Sequence, residues 1–152
     1  MTNRELYAMI HSQIRITHIQ EVLMERTTKH FRKRDAILTC LRSTTTHPDA
    51  EWIYQNVRQE IPDISMATVY RNLSLFKDQG VISSLGTVKG VERFDGNTAP
   101  HVHYICTSCG DVVDLPQISV PEEMNSAASR ASGGRVDCCQ LTFTGICGNC
   151  QK

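Results

Sequence analysis

The sequence predicts an α+β fold class, in which an N-terminal winged helix-turn-helix domain precedes a small α/β domain that holds a structural zinc site. Three observations predict it. Apolar residues recur at helical spacing in three short segments before residue 80. Two short strand patterns joined around a Lys-Gly pair come next, as in the wing of such a domain. Two Cys-x-x-Cys pairs then follow, with the spacing of metal-binding knuckles.

Composition sets broad limits on the class of protein. The 152 residues include 16 Lys and Arg against 16 Asp and Glu, so net charge neither favours nor excludes a nucleic-acid partner. No stretch approaches the roughly 20 apolar residues that span a bilayer, and the N-terminus lacks the pattern of a signal peptide. We therefore expect a cytoplasmic protein without a membrane partner. Seven cysteines, an odd count without an export signal, favour reduced thiols and metal ligation.

Residues 1–28 form an N-terminal extension for which the sequence predicts a helix. Its apolar stripe, which we expect to pack on its own domain or on a partner subunit, consists of Leu6, Met9, Ile10, Ile16, Ile19, Val22 and Leu23. His11 and His18 lie in this stripe and are interpreted as ordinary histidines without a metal role. Because Met24 directly precedes the recognisable module, a misassigned start remains an alternative for residues 1–23.

The first helix of the module is predicted over residues 29–41. It begins with the basic run Lys-His-Phe-Arg-Lys-Arg and continues with apolar residues at helical spacing. Cys40 falls on the apolar face, where the role of a small buried hydrophobic residue outweighs a redox role.

Two further helices have clear start signals. The second follows His47-Pro48-Asp49, in which Pro48 stops upstream extension and Asp49 is the predicted N-cap. The third begins after Ser65, another favoured N-cap residue, and ends at Gly80, the expected left-handed residue. The core-facing positions of the two helices are predicted to be Ala50, Ile53, Val57, Ile61, Val69, Leu73 and Phe76.

The third helix and the hairpin after it, over residues 81–95, are the predicted DNA-binding surface. In a winged helix-turn-helix the third helix enters the major groove. The predicted contacts are Ser65, Thr68, Tyr70 and Arg71 on the helix and Lys89 on the wing. The same residue types also form ordinary solvated faces, so that alternative stays open.

The C-terminal part reads as a small α/β domain. Strands are predicted from His101, over residues 112–115 and over residues 135–145, with a helix over residues 121–132. An edge of this sheet could pair across a dimer. Cys138 and Cys139 are interpreted as ordinary strand residues, because adjacent side chains on a strand point to opposite faces and could not both bind one metal.

Cys106 and Cys109 form one knuckle pair, and Cys147 and Cys150 form the other. The 37 residues between Cys109 and Cys147 are enough to bring the second pair back beside the first. Four thiolates in a tetrahedral array make a closed zinc site that stabilises structure and leaves no position for a substrate. Two independent dithiols or a disulfide are the alternative.

A second set of metal-capable side chains has harder donors. His101 and His103 project to the same side of an extended strand. Together with Asp95, Asp114 and the more distant His47, they form a ligand set suited to Fe(II), Mn(II) or Zn(II). Each carboxylate taken alone is more often a solvated group, and it is the combination that predicts a site.

Several linked motifs resemble those of the Fur family of metal-dependent repressors. They are His47-Pro48-x-Ala50-Glu51-x-Ile53-Tyr54, Ala67-Thr68-Val69-Tyr70-Arg71-Asn72-Leu73, Arg93-Phe94-Asp95, His101-x-His103-x-x-Cys106-x-x-Cys109-Gly110 and Gly145-x-Cys147-x-x-Cys150. The match covers residues 29–150 approximately. The resemblance implies a homodimer whose winged-helix domain, residues 29–95, binds an operator in double-stranded DNA, and whose metal-binding dimerisation domain is residues 96–152.

Within the family the sequence looks most like the peroxide-sensing PerR branch. Asp95 and Asp114 are the modest branch marker, because iron-sensing members tend to have glutamate at the first position. The resemblance implies structural Zn(2+) on the four knuckle cysteines and regulatory Fe(2+) or Mn(2+) on the His/Asp set. It further implies that peroxide acts as the signal through oxidation of a ligand histidine, here His47 or His101. Residues 29–34 depart from the family's Arg-x-Thr-x-Gln-Arg.

Three alternatives stay open. An iron- or zinc-uptake regulator would use the same ligands to sense metal alone. A hydrolytic metal site is disfavoured by the lack of an HExxH-like pairing or nucleophile motif, so we expect no enzyme. A metallochaperone or structural zinc protein would not need the helix-turn-helix.

Overall fold

The computed structural model describes Met24 and residues 27–152. The chain divides into two compact units, residues 1–36 and 37–152. The predicted apolar stripe of the extension, with His11 and His18, lies outside the described residues. The domain boundaries predicted after residues 28 and 95 stay predictions. Across the described ranges, none of the helices is long and apolar enough to cross a membrane.

Within the residues that the structure describes, three helices precede the first strand, as predicted. Helix α1 comprises residues 27–42, of which residues 37–42 belong to the second unit. Helix α2 is Ala50–Glu60 and α3 is Met66–Asp78. The predicted caps are confirmed, since Asp49 Oδ1 accepts a hydrogen bond from Trp52 N at 2.8 Å and Ser65 Oγ accepts one from Thr68 N at 3.2 Å.

The core of the second unit lies between these helices and the first hairpin. All seven core positions predicted on α2, on α3 and at their ends are buried. Other buried apolar side chains come from α1 and from the hairpin, namely Ile37, Leu41, Ile82, Val88 and Phe94. Burial of each larger side chain stabilises the fold by about 1.5–3 kcal/mol relative to its exposure.

The wing is the antiparallel hairpin of β1 (Ser83–Val88) and β2 (Val91–Asp95). Its turn consists of Lys89 and Gly90, with φ of 54° and 87°. Two consecutive positive φ values belong to the two-residue turn whose twist matches that of paired strands. The predicted hairpin is therefore confirmed.

A second sheet follows, with strand order β4-β3-β5. Strand β3 (Val102–Cys106) pairs antiparallel with β4 (Val112–Asp114) and parallel with β5 (Leu141–Gly145). Helix α4 (Glu122–Ser132) connects β4 to β5 and ends at Gly133, with φ of 69°. The α+β fold class is confirmed.

The prediction of a strand over residues 135–145 was too long, because only Leu141–Gly145 is β-strand. Strand β3 offers five residues, and they pair one to one with those of β5. The preceding segment is tied to α4 instead, since Val136 N donates to Ser129 Oγ at 3.0 Å. Residues 135–140 form a loop, so Cys138 and Cys139 are not strand residues.

Candidate metal centres

His47 lies in the segment that precedes α2. Its φ of 50° is in the left-handed region, which residues other than glycine rarely adopt. The carbonyl of the next residue, Pro48, accepts a hydrogen bond from Phe94 N at 3.0 Å, which holds the segment beside the end of β2. As a result the His47 side chain, only 2% exposed, lies close to Asp95.

The second sheet positions three more of the predicted ligands. His103 lies on β3 directly across from Asp114 on β4. His101 precedes β3, and its ring centroid is 4.2 Å from that of His103, so the two histidines share one side as strand alternation predicted.

The Nε2 atoms of three histidines converge on two carboxylate oxygens, and we call this set the His/Asp centre. Asp95 Oδ2 lies 3.1 Å from His101 Nε2, 3.3 Å from His103 Nε2 and 4.0 Å from His47 Nε2. Asp114 Oδ1 lies 2.9 Å, 3.3 Å and 3.5 Å from the same atoms of His47, His101 and His103. The structure thus brings together all five predicted side chains.

The hydrogen bond of His101 shows why this centre fits a cation. Its Nδ1 is 2.7 Å from the carbonyl oxygen of Ala99, which can only accept, so Nδ1 carries the proton and Nε2 presents a lone pair. That lone pair faces carboxylate oxygens, which are also acceptors. Accordingly, His101 Nε2 and Asp114 Oδ1 are buried without a hydrogen-bond partner. Buried acceptors that face one another are stable only with positive charge between them.

The surroundings of Asp95 and His103 favour metal ligation. Asp95 Oδ1 accepts a hydrogen bond from Asn97 N at 2.8 Å, which leaves Oδ2 for the centre. Burial lowers the pKa of His103, and the nearby His101 and His47 lower it further, against the opposite influence of Asp95 and Asp114. The lowered pKa favours the neutral imidazole of His103, which is the form that binds a metal.

The contacts of Ala99 and Asn97 were not predicted from the sequence. The signal that could have found them is the turn-rich run Asp95-Gly96-Asn97, since an aspartate often accepts a hydrogen bond from the backbone two residues later.

The four knuckle cysteines also come together, and we call them the four-cysteine cluster. Their Sγ atoms all lie within 4.8 Å of one another, and Cys109 Sγ is 3.8 Å from Cys147 Sγ. Zn–S bonds of about 2.3 Å in a tetrahedron place the sulfurs about 3.8 Å apart, so the spacing suits zinc.

Backbone N–H groups polarise one thiol of this cluster. Cys106 Sγ accepts hydrogen bonds from Cys109 N at 3.5 Å and Cys147 N at 3.3 Å, which lower the pKa of Cys106 to about 6. The backbone N–H of Asp111 lowers the pKa of Cys109, but burial and hydrogen bonding to neighbouring side chains outweigh it and raise that pKa to about 12. Cys109 therefore needs a cation beside it to lose its proton near pH 7.

The predicted DNA contacts occupy the start of α3 and the tip of the wing. The hydroxyls of Ser65 and Thr68 hydrogen-bond each other at 2.9 Å beside the helix start. Tyr70 is 56% exposed, and Arg71 and Lys89 are also exposed. The side chain of Lys89 lies against Gly110, where an added Cβ would come within 2.8 Å of its Cγ.

The winged helix-turn-helix contributes His47 to the His/Asp centre beside the second sheet. This combination defines a metal-binding transcriptional regulator rather than an enzyme. The chain belongs to the Ferric uptake regulator (Fur) family, whose sequence profile matches residues 25–144.

Individual relatives agree with that assignment. The peroxide-responsive repressor PerR of Staphylococcus aureus (strain USA300) is 40% identical over 121 residues, which cover 78% of this chain and 80% of the relative. Among solved structures, the Campylobacter jejuni peroxide stress regulator has a TM-score of 0.72 at 26% identity, covering 86% of this chain and 98% of that one. The Helicobacter pylori ferric uptake regulator Fur has a TM-score of 0.66 at 24% identity, covering 90% and 93%, and supports the fold alone.

Proposed function

We propose that the protein is a homodimeric, metal-dependent transcriptional repressor that binds an operator in double-stranded DNA in the cytoplasm and releases it in response to peroxide. Residues 29–95 are the proposed DNA-binding domain and residues 96–152 the proposed dimerisation domain, with residues 1–28 as an extension. The observation that carries the proposal is the mixed origin of the His/Asp centre. His47 and Asp95 come from the first of these domains, whereas His101, His103 and Asp114 come from the second.

The donor chemistry assigns a different metal to each centre. Four thiolates in the four-cysteine cluster suit a structural Zn(2+). Imidazole and carboxylate donors in the His/Asp centre suit Fe(2+) or Mn(2+) as the regulatory ion. Five donor side chains would leave Fe(2+) or Mn(2+) with an open position for a small molecule such as peroxide.

The regulatory step follows from the position of His47. The donor set is complete only while the segment before α2 stays beside β2 and β3, so a bound ion favours that arrangement of the chain. In that arrangement Ser65, Thr68, Tyr70, Arg71 and Lys89 meet the operator. A coupling of about 1–3 kcal/mol is typical and changes DNA affinity about 5- to 150-fold.

Peroxide acts on the same side chains. The His/Asp centre would hold Fe(2+), which would activate hydrogen peroxide for cleavage of its O–O bond, and the imidazole ring that is oxidised would supply the two electrons. His47 and His101, two of the three histidines whose Nε2 atoms converge on the centre, are the proposed targets. One oxygen atom enters an imidazole ring and the other leaves as water. The oxidised ring is a poorer donor, so the His/Asp centre loses its hold on the segment before α2. The 40% identity to a peroxide-responsive repressor supports this step.

The test is a DNA-binding titration with Fe(II), Mn(II) and Zn(II), each with and without peroxide, followed by mass spectrometry. We expect tight binding with Fe(II) or Mn(II), loss of binding only in the Fe(II) sample after peroxide, and one added oxygen atom on His47 or His101. Equal DNA affinity in metal-free and Mn(II)-loaded protein would contradict the proposal. Oxygen found only on Met or Cys would contradict the peroxide step.

The second candidate is an iron- or zinc-uptake regulator that senses metal alone. Imidazole and carboxylate donors also suit Zn(II), which favours this candidate. It predicts that Fe(II)-loaded protein keeps its operator after peroxide treatment.

A further inference from the structure

A cavity of about 340 Å³ lies beside the His/Asp centre. Its lining includes Asp95, His101 and His103 of that centre. It also includes Cys138 and Cys139, which belong to neither group of metal-capable side chains. A small molecule that reaches the centre through this cavity therefore passes two cysteine residues.

The loop conformation of residues 135–140 is what makes this arrangement possible. On a strand, adjacent cysteines would point to opposite faces and only one could line a given cavity. Here both lie before β5, and both line the same cavity. Cys138 is exposed and Cys139 half-exposed, and both are free thiols.

Cys40 differs from Cys138 and Cys139 in its position and serves as a comparison within the same chain. It is also a free thiol outside the four-cysteine cluster, but it lies on α1 and does not line this cavity. Burial raises the pKa of Cys40, which makes its reactive thiolate form scarcer.

We propose that Cys138 and Cys139 form a thiol trap for peroxide in the cavity that leads to His101, one approach to the His/Asp centre, and that the trap sets how much peroxide is needed to oxidise His101. The proposal rests on the proposed function for the identity of the oxidant. In the reaction, a thiolate attacks one peroxide oxygen and the O–O bond breaks. A sulfenic acid and hydroxide are formed, so the sulfur is oxidised and the peroxide is reduced. Each thiol consumes one peroxide molecule that would otherwise reach His101.

The first test detects the trap without iron. Zinc-containing, Mn(II)-loaded protein is treated with hydrogen peroxide in the presence of dimedone, which labels sulfenic acids, and is then digested with trypsin for mass spectrometry. Cys40 falls on the peptide of residues 35–42, whereas Cys138 and Cys139 share that of residues 136–152 with Cys147 and Cys150, so fragment ions assign the label within it. We expect label on Cys138 or Cys139 well above that on Cys40. Equal or absent labelling would overturn the proposal.

The second test measures the effect on sensing. Fe(II)-loaded wild type is compared with the double variant Cys138→Ser/Cys139→Ser and with Cys40→Ser as the matched control. In the double variant, half-maximal histidine oxidation and DNA release should shift to lower peroxide concentration, while Cys40→Ser follows wild type. An unchanged dose-response in the double variant would contradict the trap. Unchanged zinc content and Mn(II)-dependent DNA binding show that the double variant is folded.

The two tests separate this inference from the proposed function. If no variant shows histidine oxidation, the peroxide step of the proposed function fails. The sulfenic acid label in Mn(II)-loaded protein still decides whether Cys138 and Cys139 react.

Discussion

The four-cysteine cluster and the His/Asp centre come within three residues of each other on β3, at Cys106 and His103, yet they are built differently. The cluster uses four donors of one kind from two short knuckles, and the backbone N–H groups of Cys109 and Cys147 donate to Cys106 Sγ. The His/Asp centre draws its donors from separate segments and contains buried acceptors without partners. The two groups of donors therefore serve different purposes. The cluster holds the segment of Cys147 and Cys150 to the sheet, whereas the His/Asp centre depends on how distant segments are arranged.

The largest expected effect comes from removing a cluster thiol. Cys109→Ser should abolish zinc binding and strongly destabilise the second sheet, because a structural zinc ion contributes on the order of 10 kcal/mol in small zinc domains. Zinc content and thermal unfolding by circular dichroism measure the effect, with Cys40→Ser as the control. A Cys109→Ser protein with full zinc content and unchanged unfolding would show that the cluster is not a structural site.

An intermediate effect is expected at the His/Asp centre. Asp95→Asn keeps an acceptor for Asn97 N but removes the charge that faces three histidines. Mn(II)-dependent DNA affinity should fall by about 5- to 150-fold, while zinc content and metal-free DNA affinity stay at wild-type values. Fluorescence anisotropy with labelled operator measures it, and Glu123→Gln on the first turn of α4 is the control. Loss of zinc in Asp95→Asn would mean that the two centres are not independent.

The smallest effect concerns a charge pair outside both centres. Glu92 Oε1 accepts hydrogen bonds from Lys77 Nζ at 2.6 Å and from Ser84 Oγ at 2.7 Å. Burial raises the pKa of Glu92, but these two hydrogen bonds and the charge of Lys77 outweigh it, so the pKa lies below its usual range. The stabilisation is therefore present above the unfolded-state pKa and is lost as the pH falls through the folded-state pKa.

The Lys77–Glu92 pair is expected to contribute under about 1 kcal/mol to the free energy of unfolding, because both side chains are partly exposed. Urea unfolding of wild type and Glu92→Gln should differ slightly at pH 7 and converge at acidic pH or in high salt. A difference that grows on acidification would reverse the assigned sign. If Glu92→Gln lowered the free energy of unfolding as much as Cys109→Ser does, this surface charge pair would matter as much to stability as the four-cysteine cluster.

Local signals predicted much of the fold correctly. Asp49 and Ser65 cap helices as predicted, because a capping side chain needs only a backbone N–H three residues away. The length of the strand predicted over residues 135–145 was overestimated because it depends on a distant part of the chain. The length of β5 depends on how many residues β3 offers for pairing, and β3 lies more than 30 residues earlier in the chain.

The two metal centres also differ in how much of each the sequence predicted. The cysteine pairs were recognisable because each knuckle is a local turn with its donors three residues apart. The residues of the His/Asp centre were predicted from their chemistry, but the backbone contacts that hold them were not. The carbonyl of Ala99, which orients His101, and the hydrogen bond from Phe94 N to Pro48 O are backbone contacts that residue types do not encode.

The sequence by itself determined the helices, the hairpin turn and the kinds of donor available, since each depends on backbone geometry within a few residues. Tertiary structure decided which distant residues meet. Packing of α2 against the wing and pairing of β3 with β4 and β5 bring His47 beside Asp114 and place Cys138 and Cys139 in the cavity of His101. These contacts arise from burial and hydrogen bonding between segments far apart in the chain, and no local spacing of residues specifies them.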